Sequence, residues 1–138
     1  IVHVPAHGTV FTGDILFNGG HPIVWAGPVA NWVAACDRII ALGAPTVVPG
    51  HGPVCGPEEG AAQRDYFAFL TEEVRPRAEA GMAPIEVARD IDLGPYAGMT
   101  ERERLVANVA AVFRDLGMPA PADAATLLQQ MAEFGASG

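Results

Sequence analysis

Asp14 and His51 are the residues of this chain whose type and setting could build a metal site. Each lies in a short polar, Gly-containing punctuation, Thr12-Gly13-Asp14 and Pro49-Gly50-His51-Gly52, directly after an apolar strand-like run. A carboxylate and an imidazole at the ends of neighbouring strands form one wall of a cation site, since both donate to hard or borderline ions. The flanking glycines let backbone and ligand approach closely. All four histidines, His3, His7, His21 and His51, fall within the first 51 residues, and Asp14 is the only acid among the first 36. That clustering favours metal chemistry, yet each residue has a plainer alternative. Asp14 could cap a turn and His51 could be a satisfied loop imidazole, and spacing leaves both readings open. His3 reads as a strand residue, His7 as an exposed turn residue and His21, between Gly20 and Pro22, as a loop residue.

The elements that must position these side chains follow from the pattern around them. Val2 and Val4, then Thr9-Val10-Phe11-Thr12, flank the turn residues Pro5-Ala6-His7-Gly8 and predict a β-hairpin. Gly27-Pro28 opens a helix near Val29, with Val29, Trp32, Val33, Cys36, Ile39 and Ile40 on its buried face and Gly43 at its end. Thr46-Val47-Val48 reads as a short strand inside a two-sided sheet, broken by Pro49-Gly50. After Pro57 only helical patterns remain: residues 58 to 80, with Pro76 as a kink or stop, then a short helix from Pro84 to Arg89. Thr100 and Glu103 have capping-box spacing ahead of a helix through Leu105, Val109, Val112 and Leu116, closed by Gly117. Asp123 to Phe134 predicts a last amphipathic helix with Leu127, Leu128, Met131 and Phe134 on one side, and Gly135 to Gly138 a frayed tail. Residues 1–56 thus form a β/α unit and residues 57–138 a helical extension packed on it.

Composition narrows the function. The 138 residues are 50% hydrophobic, enough for one domain with a real core. The chain has no Lys, 8 Arg against 16 acidic residues and a formal charge of -8, so it offers no basic face to nucleic acid or anionic membrane. Cys36 and Cys55 lack CxxC spacing, which argues against a thiolate zinc site or a disulfide framework. The apolar runs are too interrupted for a spanning helix, and a bacterial cytoplasmic setting is expected. Ile1-Val2-His3-Val4 reads as the middle of a strand, so the absence of a signal peptide carries no information.

Thr9-Val10-Phe11-Thr12-Gly13-Asp14-Ile15-Leu16-Phe17, then Trp32, then Val47-Val48-Pro49-Gly50-His51-Gly52-Pro53-Val54, resembles the C-terminal half of the metallo-β-lactamase superfamily of hydrolases. The resemblance implies the C-terminal half of an αββα sandwich, followed by an all-helical C-terminal segment. It implies that Asp14, in the TGD-like motif, is a catalytic carboxylate bridging two metal ions, zinc or else iron or manganese. It implies that His51, in the PGHG-like motif, completes the second ion's ligand set. The family's His-x-His-x-Asp-His motif is not among these residues. The resemblance therefore implies a metal-dependent hydrolase of a small-molecule substrate when an N-terminal half completes it, and an incomplete, weakly binding and inactive site in this chain alone. Half a sandwich leaves apolar surface uncovered, so self-association as a homodimer or pairing with the missing half is expected, with Ile1, Val2, Val10, Phe11 and Val47 on that surface. The alternative is a non-catalytic, self-associating interaction module that keeps the half fold, anchored by Trp25 and Trp32.

Overall fold

Turn chemistry at Pro5-Ala6-His7-Gly8 folds the first strand back on the second, and this hairpin fixes the sheet. In the computed structural model, which describes residues 1–136, β1 (Val2–Val4) pairs antiparallel with β2 (Thr9–Phe17) across a single 3-10 turn, Pro5–His7. Helix α1 (Val29–Ala41) then returns the chain to β3 (Thr46–His51), which runs parallel to β2. The order β1-β2-β3 leaves β3 at an edge, touched on its free side only by the isolated Val47–Cys55 bridge among the described residues, and not inside a two-sided sheet. Among the described residues this is a mixed α/β fold with five α-helices and a three-stranded sheet, consistent with a partial metallo-β-lactamase-like fold.

Strand alternation decides which face α1 covers. Val10, Leu16 and Val47 are fully buried and pack with Ile39 and Ala44 in a small core between sheet and helix. The expectation that Val10 and Val47 lie on an uncovered face is therefore corrected. The opposite face carries Val2, Phe11 and Val48 as paired neighbours across the three strands, with Val2 62% and Phe11 46% exposed. Ile1, 48% exposed, lies beside them at the start of β1.

The larger core is helical. Helix α2 (Glu58–Glu79) passes through Pro76 for one further turn and is not stopped by it. Its Tyr66, Phe67, Leu70 and Val74 are fully buried against α3 (Pro84–Asp90) and α4 (Leu105–Asp115), and Val29 of α1 joins the same cluster. Trp32 of α1 packs on Phe67, ring centroids 6.0 Å apart, while Trp25 is exposed.

Three further expectations change. No capping box forms at Thr100: the Thr100 amide and carbonyl pair with Gly19 and His21, Glu101 turns left-handed (φ 58°), and a 3-10 turn at Arg102–Arg104 leads into α4. In α5 (Ala124–Gly135), capped by Asp123 accepting from the Thr126 amide, Leu127, Met131 and Phe134 are buried but Leu128 is exposed. Of the tail expected to fray from Gly135 to Gly138, Gly135 is instead the last residue of α5, and residues 137 and 138 lie outside those described.

Candidate metal centre

Thr12-Gly13-Asp14 lies inside β2, and Pro49-Gly50 does not break β3, which runs on to end at His51. Both remain in the β2–β3 ladder, and the ladder is irregular where they meet. Cα pairing runs Phe11 to Val48, Gly13 to Pro49 and Phe17 to His51. Between the last two pairs β2 holds Asp14, Ile15 and Leu16, while β3 holds only Gly50. A strand with extra residues must bulge, and a bulge re-aims the side chains it carries. Gly13 supplies the left-handed backbone for it (φ 55°). The bulge then folds over Gly50 so closely that a Cβ there would meet Gly13 C at 2.5 Å, and Gly13 O and Asp14 Oδ1 at 2.6 Å. Glycine at position 50 is what lets Asp14 reach its place.

Several contacts hold the bulge in shape. Buried Thr12 sits with Oγ1 3.2 Å from the Gly13 carbonyl and 3.4 Å from that of Val48, so its hydroxyl donates across the two strands. Gln63 of α2, also buried, donates to the Ile15 carbonyl (2.6 Å) and accepts from the Phe17 amide (2.9 Å). It thereby satisfies backbone groups that the irregular ladder leaves without strand partners. Asn18 closes the end: its amide donates to the His51 carbonyl and its Nδ2 to the Pro53 carbonyl, both at 2.9 Å.

The outcome is a juxtaposition of the two candidate residues. His51 Nε2 lies 3.2 Å from Asp14 Oδ1, with the side chains 45% and 79% exposed respectively. The His51 ring stacks on Phe17, centroids 4.6 Å apart and planes within 4°. Two donors each about 2.0–2.1 Å from one zinc ion, at angles between octahedral and tetrahedral, stand roughly 2.8–3.4 Å apart. The observed separation fits two ligands of a shared ion. The donor set stops there: no group of three or more His, Cys, Asp or Glu that could hold a metal ion occurs among the described residues. His3 is half-buried on β1 opposite Val10, and His7 is exposed in the 3-10 turn.

His21 lies in a loop, as its Gly20 and Pro22 neighbours predict. It is fully buried, with Nδ1 2.9 Å from the Tyr66 hydroxyl. Asn108 Nδ2 donates to that hydroxyl (3.1 Å) and to the Pro22 carbonyl (2.8 Å), while Asn108 Oδ1 accepts from the Val24 amide. Burial, reinforced by the Arg102 and Arg104 charges and opposed by Glu103, lowers the His21 pKa to about 4. The loop from Gly20 to Val24 is thus bolted onto α2 and α4 through three buried polar side chains.

Thr12, Phe17, Asn18 and Gln63 support the pair, and sequence reasoning gave none of them that role. Thr12 and Phe17 lay within the motif, but Gln63 carries no local signal, because its partner Phe17 is 46 residues away. Residues 1–51 match the family model described as Metallo-beta-lactamase superfamily. No curated protein matches the chain. No helix among the described residues is long and apolar enough to cross a membrane.

Proposed function

We propose, from the match of residues 1–51 to the metallo-β-lactamase superfamily model, that Asp14 and His51 are two ligands of the dinuclear centre of a metal-dependent hydrolase. The region is the C-terminal half of an αββα sandwich, and the remaining ligands come from a half carrying the His-x-His-x-Asp-His motif. The observation that carries this reading is the 3.2 Å approach of His51 Nε2 to Asp14 Oδ1 across a bulge that needs glycine at position 50. When bound, such a centre activates water at neutral pH and polarises the scissile carbonyl or phosphoryl group of a small-molecule substrate. Asp14 holds the carboxylate end, and His51 binds through Nε2.

Zinc titration tests the assignment. The chain alone is expected to bind weakly, because a catalytic zinc normally takes three protein ligands and Asp14 and His51 supply two. Mixed with an N-terminal half bearing the missing motif, it is expected to take two ions per complex and to hydrolyse a thioester or phosphodiester probe. Asp14→Ala should remove at least one ion, and His51→Ala should weaken the same ion. Full loading by the Asp14→Ala complex would reject the assignment.

A second reading is favoured by the uncovered row of Val2 and Phe11 with Ile1 beside it. In it the chain uses that sheet face to pair with a second copy, as a non-catalytic interaction module. Light scattering is expected to show a concentration-dependent dimer that Phe11→Glu reduces to monomer. A monodisperse wild-type monomer at high concentration sinks this reading.

A further inference from the structure

His51 is held on one side by Asp14 and rests its ring on Phe17, which raises the question of what fixes Phe17. Phe17 is 4% exposed, and its amide is tied to Gln63. Over its ring, 5.3 Å from the centroid, lies the guanidinium of Arg104, from the 3-10 turn that starts α4. Arg104 is itself tightly placed. It forms a two-armed contact with Glu101, Nη1 to Oε2 at 2.5 Å and Nη2 to Oε1 at 2.7 Å, and Nη1 also donates to the His21 carbonyl at 3.1 Å. Its side chain is only 14% exposed. Glu101 takes the only positive φ among described non-glycine residues, a conformation that persists only where surrounding contacts over-determine it. Thr100, just before it, is bridged to Gly20, so the anchor for Arg104 is stitched to the loop that follows β2.

We infer that Arg104 and Phe17 are positioning residues for His51, through which the helical segment holds the imidazole plane that the site presents. The physical argument is entropic and geometric. An imidazole that is nearly half exposed samples several rotamers unless a surface fixes it, and ordering a side chain costs a sizeable fraction of a kcal/mol. A flat aromatic face within 4° of the ring plane, pinned by a cation over the same aromatic ring, removes that freedom before any ligand arrives. Productive ligand geometry tolerates only about 10–20° of angular error, so a pre-set ring plane bears directly on affinity. Arg104 lies outside the residues matched by the family model, so this role would belong to the segment beyond them.

The inference rests on the metal-ligand reading of His51 only for what the positioned ring does, and the experiment separates the two. The His51 ring protons in the metal-free chain are followed by NMR, with exposed His7 as internal control. Stacking on Phe17 should shift them upfield of His7, and side-chain couplings should report one dominant rotamer. Phe17→Leu keeps the apolar bulk and removes the aromatic face, while Arg104→Gln keeps hydrogen-bonding capacity and removes the cation. Both are expected to move the His51 ring protons toward the His7 position, average its rotamers, and weaken zinc binding by about ten- to a hundredfold in the completed protein, as loss of an outer-shell partner does. An Arg104→Gln chain with native amide shifts elsewhere and an unchanged His51 ring overturns the role of Arg104. The same result in Phe17→Leu overturns the whole proposal. If the ring responds as expected but the completed wild-type protein takes up no zinc, positioning stands and the metal reading falls.

Discussion

Gly50→Ala is expected to cost about 3 kcal/mol of stability, the upper end of what overpacking does, and to drive Asp14 away from His51. The added methyl meets two backbone atoms of Gly13, and the Asp14 carboxylate, at 2.5–2.6 Å. The exposed Asp14 carboxylate can swing aside, but the two Gly13 atoms are backbone, so relief requires the β2 bulge to lift off β3. Lifting it breaks the Thr12 contacts and strains the Gln63 clamp that sets Ile15 and Phe17. Gly43→Ala is the control, since Gly43 has φ 61° but open space where its Cβ would go. It should show only the left-handed backbone penalty of about 1–2 kcal/mol. Urea unfolding of both variants, with the Asp14 and His51 side-chain resonances as local reporters, separates crowding from conformation. Equal costs with the pair undisturbed would mean that the close crossing at Gly50 is not what holds Asp14.

The two residues at the centre of the site were legible because their chemistry is local: a carboxylate and an imidazole, each wrapped in glycine, near the ends of apolar runs. The bulge that joins them was not, because it depends on register between two strands, and no single segment states its partner's register. Parity has the same weakness. The alternation of Val2, Val10, Phe11 and Val47 shows that the strands have two faces, but α1 decides which face is covered, so Val10 and Val47 were assigned to the wrong one. At Thr100 the capping-box spacing was present, yet the backbone groups it needs were taken by Gly19 and His21, a tertiary demand that overrides a local preference. His21 shows the limit most clearly. Its Gly and Pro neighbours identify a loop correctly, but burial comes from Tyr66 and Asn108, 45 and 87 residues later in the chain.

Buried His21 should also make this protein sensitive to mild acid. Tyr66 stays a neutral phenol, since burial pushes its pKa upward, and Asn108 Nδ2 can only donate to its oxygen. The Tyr66 proton is then best used on His21 Nδ1, which leaves the histidine proton on Nε2, a buried atom without a hydrogen-bond partner. Adding a second proton would end acceptance at Nδ1 and place a charge beside Arg102 and Arg104, with Glu103 the one opposing group. The folded-state pKa of about 4 lies below the ordinary 6.5. Above pH 6.5 the neutral ring is favoured in both states and its full contribution is present. As pH falls from 6.5 toward 4, the unfolded chain takes up a proton that the folded chain refuses, so stability declines by up to about 1.4 kcal/mol per pH unit and by roughly 3 kcal/mol in total. His21→Gln keeps an acceptor for Tyr66 and does not titrate. Urea midpoints at pH 7 and pH 4.5 should therefore diverge in the wild type more than in the variant, even though the variant starts out less stable. Parallel profiles would show that His21 finds a partner or solvent on protonation, and the bolt formed by Tyr66 and Asn108 would then tolerate a charge.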